Sequence, residues 1–232
     1  MKKATILIIL FLISTLSQAF KLTPMSYTII GSEKVANFTV ENDGNIPIAV
    51  QLEVKVRDMK SDGAEMLPET EDFLIFPDQL VLEPNKRRVV KVRWLKGEIK
   101  DFEKSFRLIA EQLPVELNRK KRKKTDIKIL LRYVAALYVA PTEGKAKIKI
   151  SSAKTTKDLK SIDLVVENVG QIHKILSRPE ITIIQEGRDF KVKSYEGIIG
   201  ENILAGSKRF FTVKPPSEVN IQKPYQVKIS ND

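Results

Sequence analysis

Apolar side chains in this chain recur at every second position, segment after segment, and that period dictates strands. Val50, Leu52, Val54 and Val56 alternate with Gln51, Glu53, Lys55 and Arg57, the pattern of an antiparallel strand with one face buried and one wet. Val35 to Glu41 reads as the preceding strand, joined through the turn signal Asn42-Asp43-Gly44-Asn45. Val90, Val92 and Trp94 alternate with Lys91 and Arg93, and Phe106, Leu108 and Ala110 with Arg107 and Ile109. Phe73 to Phe76 and Gln79 to Leu82 flank Pro77. Proline cannot donate to a ladder, so these are short edge strands or a bend between sheets. No helical period survives past the N-terminus. About seven strands at spacings near ten residues describe an immunoglobulin-like sandwich.

Beyond Pro141-Thr142-Glu143-Gly144 a second set begins: Ala146 to Ser152, Ser161 to Glu167, Ile181 to Gln185, Phe190 to Lys193, Arg209 to Val213 and Tyr225 to Ile229. Val166-Glu167-Asn168 repeats Val40-Glu41-Asn42, in both places an apolar strand ending at an asparagine before a glycine turn. The expected architecture is all-β, two sandwiches in tandem, with domains at 20–141 and 142–232.

The first residues address the chain elsewhere. Met1-Lys2-Lys3 is basic, Ala4 to Leu16 is almost wholly apolar, and Ser17-Gln18-Ala19 offers small residues for a signal peptidase. A cleaved signal peptide over 1–19 follows, with a mature start at Phe20. The apolar run is shorter than the roughly 20 residues of a spanning helix, and no later segment reads as a stable membrane insertion. The chain has no cysteine and one histidine. That excludes thiol catalysis, thiolate metal sites and disulfides, and weakens any triad or histidine-ligated metal. No nucleotide loop, Gly-x-Ser-x-Gly or tuned carboxylate pair is present, so neither an enzyme nor a cofactor is expected. His173 beside Gln171 and Lys174 reads as a surface residue.

One segment does not fit an ordinary core strand. Ile127, Ile129, Leu131 and Tyr133 share one face of Ile127–Val134. The segment is β-prone and poor in charge, a hazard if it forms an open sheet edge. Such a segment is buried in the chain's own core or lent to a partner. Six basic residues, Arg119 to Lys124, precede it. They lack interleaved aromatics, and the leader removes the chain from cytoplasmic nucleic acid, so no nucleic-acid partner is expected. Their charge would discourage self-pairing of the apolar segment; ordinary solvation of a long loop is the alternative.

A family resemblance is carried by an ordered set of short motifs: Phe20-Lys21-Leu22-Thr23-Pro24; Val40-Glu41-Asn42 with Pro47-Ile48-Ala49-Val50-Gln51; Phe76-Pro77 with Leu82-Glu83-Pro84; Phe106 to Pro114; and Leu130-Leu131-Arg132-Tyr133 running to Pro141. In that order, behind a signal peptide, they resemble the PapD-like periplasmic chaperones of pilus and fimbrial assembly. The resemblance covers the first domain and reaches the second only in position and strand content. It implies a periplasmic chaperone that caps pilin subunits by donor-strand complementation and delivers them to an outer-membrane usher. Ile127, Ile129, Leu131 and Tyr133 then match the donor residues of the seventh strand. Better-known members anchor the subunit's C-terminal carboxylate with two basic residues, whose positions here hold Ser26 and Ala136. Phe106-Arg107 and Leu131-Arg132-Tyr133 look more like the divergent, archaic branch. Arg107, with Arg132 second, is therefore the expected anchor, because a planar guanidinium pairs a carboxylate bidentately. A secreted adhesin or structural sandwich protein would share the fold, and subunit capture separates the two.

Overall fold

The computed structural model describes residues 20–115 and 129–231. The expected signal peptide, the Arg119–Lys124 run and Ile127 lie outside the described residues. Among those described there is no helix. The first half contributes β1 (Phe20–Thr23), β2 (Ser26–Ile30), β3 (Val35–Asn42), β4 (Ile48–Val56), β5 (Asp58–Met59), β6 (Glu65–Met66), β7 (Phe73–Phe76), β8 (Gln79–Leu82), β9 (Arg87–Trp94), β10 (Lys104–Gln112) and β11 (Arg132–Ala140). The second contributes β12 (Ile148–Thr155), β13 (Ile162–Asn168), β14 (Lys174–Ile175), β15 (Pro179–Gln185), β16 (Arg188–Lys191), β17 (Asn202–Ile203), β18 (Lys208–Val213) and β19 (Gln226–Asn231).

In the first half a four-stranded sheet, β1-β3-β9-β7, packs on a five-stranded sheet, β2-β11-β10-β4-β8. The alternation fixes which side chains lie between them. Phe38, Val50, Leu52, Val90, Val92, Trp94, Phe106, Leu108 and Leu137 are all buried in one cluster, each worth roughly 1.5–3 kcal/mol of transfer free energy. Phe73, Trp94 and Phe106 pack ring on ring, with centroids 4.8–5.8 Å apart. β7 closes one edge of the first sheet and β8 one edge of the second, so the chain changes sheets across Pro77, a bend between edge strands where a missing N–H is tolerated.

The second half builds its own core from Ile162, Leu164, Val166, Ile181, Ile183, Phe211 and Val213. Sheets β12-β13-β18 and β16-β15-β19 face each other, with a β14-β17 pair beside them. The molecule is all-β, two immunoglobulin-like sandwiches in tandem.

The strand expected from Ile127 begins later. β11 starts at Arg132, and Ile129–Leu131 precede it without strand structure. Leu131 keeps one ladder bond, its carbonyl accepting from the Gln112 amide at 2.9 Å, and beyond it the flanking strands give out. On one side β10 ends at Gln112, shortly before Pro114. On the other, β2 pairs only with Ala136–Ala140. Arg132–Ala135 are thus held by β10 alone and form an open sheet edge.

Candidate functional site

The polar face of the five-stranded sheet turns away from the sandwich core. Register aligns its residues into rungs. Arg107 lies opposite Ala136 on one side and Lys55 on the other, and Ala136 lies opposite Ser26. The rung Ser26–Ala136–Arg107–Lys55 therefore places a guanidinium and an ammonium beside the two positions that lack a base. The next rungs are Ile109 with Val134 and Glu53, then Glu111 with Arg132 and Gln51.

Arg107 is gripped by a carboxylate. Its Nε donates to Glu65 Oε2 at 2.9 Å and its Nη2 to Glu65 Oε1 at 2.6 Å. The same carboxylate accepts from Arg57, Nε at 2.8 Å and Nη2 at 2.7 Å. Burial pushes the Glu65 carboxyl up, but the hydrogen bonds and charges of Arg107 and Arg57 outweigh it and hold it below the ordinary range. Lys55 pairs with Glu69 at 2.9 Å, which raises its ammonium pKa. Arg132 is half exposed and makes a looser pair with Glu111 at 3.6 Å. Of the two expected anchors, Arg107 is the one held in a shared ion-pair cluster with Glu65 and Arg57; Arg132 stands at the rim.

The residues expected to be donors are not equivalent. Ile129 is 75% exposed, Leu131 is half-buried against the first core, and Tyr133 packs there too. The Tyr133 hydroxyl donates to the carbonyl of Phe20 at 2.6 Å, and the two rings meet edge to face at 4.9 Å. Leu130 and Val134 are exposed beside them, as is Met25 just before β2.

The floor of the cleft is where the two sandwiches meet. The buried Tyr138 hydroxyl accepts from Arg57 Nη1 at 3.0 Å and from Asn202 Nδ2 at 2.9 Å. Burial raises its pKa above the usual phenol value. His173 is not the surface residue its neighbours suggested. Its ring stacks on Tyr138 at 3.9 Å, and its Nδ1 lies 2.8 Å from Oε1 of the buried Glu103. Its partners are brought from the other sandwich, so no local pattern could reveal them. A cleft of about 430 Å³ opens here between Val56–Met59, Glu103–Phe106 and Leu204–Ser207.

The hairpin β5–β6 bridges the halves. The amide of Phe210 donates to Ser61 O at 2.8 Å, and Arg209 Nη1 reaches Met59 Sδ at 3.4 Å. Gly63, at φ +93°, lies under the Arg209 guanidinium, where a Cβ would come within 2.4 Å of Nη2. Arg57, Glu65 and Tyr138 were missed by sequence reasoning. Alternation did put Arg57 on the polar face, but nothing local indicated that this part of the face is covered.

The arrangement has relatives. The family model of pili and flagellar-assembly chaperones, PapD N-terminal domain, matches residues 19–145. No curated protein sequence matches. The fold is similar to that in the CsuC–CsuE chaperone–tip adhesion subunit pre-assembly complex of the archaic chaperone-usher Csu pili of Acinetobacter baumannii. There the TM-score is 0.61 at 14% identity, over 90% of this chain and 97% of that one. It is similar also to the Salmonella enterica SafA pilin–SafB chaperone complex, with TM-score 0.58 and 19% identity over 88% and 87%. The E. coli chaperone DraB gives TM-score 0.55 and 20% identity over 86% and 87%. Because the family model spans more than half of the sequence and the sandwich it describes is the one that carries the Arg107 site, the chain belongs to the PapD family of pilus-assembly chaperones.

Proposed function

We propose that this chaperone works in the periplasm, after cleavage behind Ala19, and captures pilus or fimbrial subunits by lending them the segment from Ile127 into β11. Ile127, Ile129 and Leu131 enter the subunit's groove in this reading. Tyr133, tied to Phe20, sets where the lent segment ends. The observation that carries the reading is the open edge at Arg132–Ala135. It continues an exposed apolar approach and comes within one rung of Arg107, at Val134. An edge of this kind satisfies its free N–H and C=O groups by accepting a strand from another chain. Arg107 takes the subunit's C-terminal carboxylate and so fixes the register of the added strand, with Arg132 as the second candidate. The loaded chaperone then passes its subunit to an outer-membrane usher. Separate cores on either side of Pro141 support domains at 20–141 and 142–232.

Arg107→Ala tests the anchor. Loss of a partly desolvated charge pair should cost about 2–5 kcal/mol of binding. Co-expressed subunit should then no longer co-purify, while the chaperone still melts cooperatively. Capture at wild-type level would overturn the assignment, and Arg132→Ala would be the next variant to read. A chain found on the cell surface without a bound subunit would favour an adhesin instead.

A further inference from the structure

We propose that Glu65 is a built-in stand-in for the ligand's carboxylate: the β5–β6 hairpin seats it on Arg107 while no subunit is bound, and it yields that guanidinium when a C-terminal carboxylate arrives. The inference rests on the reading of Arg107 as the anchor. Glu65 occupies Nε and Nη2 of Arg107, one complete bidentate edge of the fork and the geometry a terminal carboxylate would adopt. Among the described residues no hydrogen bond takes Arg107 Nη1. The hairpin that carries Glu65 is fixed at its tip by Ser61 and Gly63 against the second sandwich, so the internal carboxylate is held at its site at little entropic cost.

The exchange has a parking place. Arg57, with a side chain only 5% exposed, donates Nε and Nη2 to Glu65 Oε1 and Nη1 to the Tyr138 hydroxyl. A Glu65 carboxylate that releases Arg107 keeps both bonds to Arg57. Neither it nor the buried guanidinium is stranded without a partner, the outcome that would make the exchange costly. Two arginines share one carboxylate, so an arriving second carboxylate restores one pair for each. Glu65 thereby sets how strong a competing carboxylate must be.

The experiment uses the mature chain with ¹⁵N-labelled arginine and N-acetylphenylalanine as probe, its amide N-acetylphenylalaninamide serving as control. The Arg107 Nε–H resonance reports binding. Glu65→Gln should bind the free acid more tightly than wild type by at least about fivefold, the low end of ordinary coupling between competing events, and neither protein should respond to the amide. Unchanged or weaker binding by Glu65→Gln would show that Glu65 positions Arg107 instead of competing for it, and would overturn the proposal with the anchor intact. A wild-type and variant Arg107 signal blind to the difference between acid and amide would remove the anchor, and the stand-in with it. Should Glu65→Gln fold poorly, the ¹³C carboxyl resonance of Glu65 in the wild-type chain decides. It must shift with the acid and stay fixed with the amide; a resonance unmoved at saturation with the acid refutes the exchange.

Discussion

Asn42 and Asn168 show how much one side chain can organise. Each ends a strand, is buried, and turns its amide back on the loop that follows. Asn42 Nδ2 donates to Ile46 O at 2.9 Å and Leu82 O at 3.0 Å, while Oδ1 accepts from the Gly44 amide at 2.9 Å. Asn168 repeats the pattern with Ile172 O at 2.8 Å, Ile203 O at 3.1 Å and the Gly170 amide at 2.9 Å. Asn168 Oδ1 accepts from the Lys147 amide as well, at 3.2 Å, so alanine leaves three backbone groups short of a partner at Asn42 and four at Asn168. Each substitution should lower stability by about 1–3 kcal/mol, read as a shift in urea midpoint. Glu65 adds a pH dependence at the same scale. Its carboxyl pKa is depressed in the folded chain, so its contribution is complete above the unfolded value near 4.3 and is lost as pH falls through the lower folded value. The melting-temperature gap between wild type and Glu65→Gln should accordingly be constant from pH 7 to about 5 and close in more acid solution.

At the scale of the element, β11 behaves as two strands joined end to end. Its C-terminal part, Ala136–Ala140, is paired on both sides; Arg132–Ala135 are paired on one side only. The consequence is that aspartate substitutions along the proposed donor segment should part company. Ile129→Asp places a charge in water, because the side chain is exposed, and should leave the melting temperature unchanged while abolishing subunit capture. Leu131→Asp puts the charge against the first core and should lower stability as well. A melting temperature depressed equally by both would show that the segment belongs to the chaperone's own core. The paired motifs around Pro77, Pro114 and Pro141 made these strands legible. The late start of β11 was not legible, since it depends on where β2 and β10 stop.

At the scale of the molecule, polar contacts join the two sandwiches. Glu103 donates its amide to Gln171 O at 2.8 Å, and its carboxylate receives the His173 amide at 3.2 Å and the ring Nδ1 at 2.8 Å. With the Glu103 side chain only 1% exposed, His173→Ala removes the ring partner of a buried carboxylate. The expected cost is about 1–3 kcal/mol, together with a second sandwich that moves more freely relative to the first. Small-angle scattering and a thermal melt on one sample would check both. An unchanged melt with an unchanged scattering profile would show that Tyr138 and Arg209 hold the junction without it.

Alternation of apolar and polar residues determined the strands, the two cores and the direction each side chain faces, because burial on a sheet is decided residue by residue at a period of two. The order of the proline- and asparagine-bearing motifs determined the family resemblance. Tertiary structure alone decided what the polar faces do. The resemblance singled out Arg107, but only the fold brings Glu65, 42 residues away, onto it. His173 reads as surface until Glu103, 70 residues away, and Tyr138 enclose it. Ion pairs and junction contacts have no period; they exist only where the folded chain brings distant segments together, so no local pattern in the sequence can announce them.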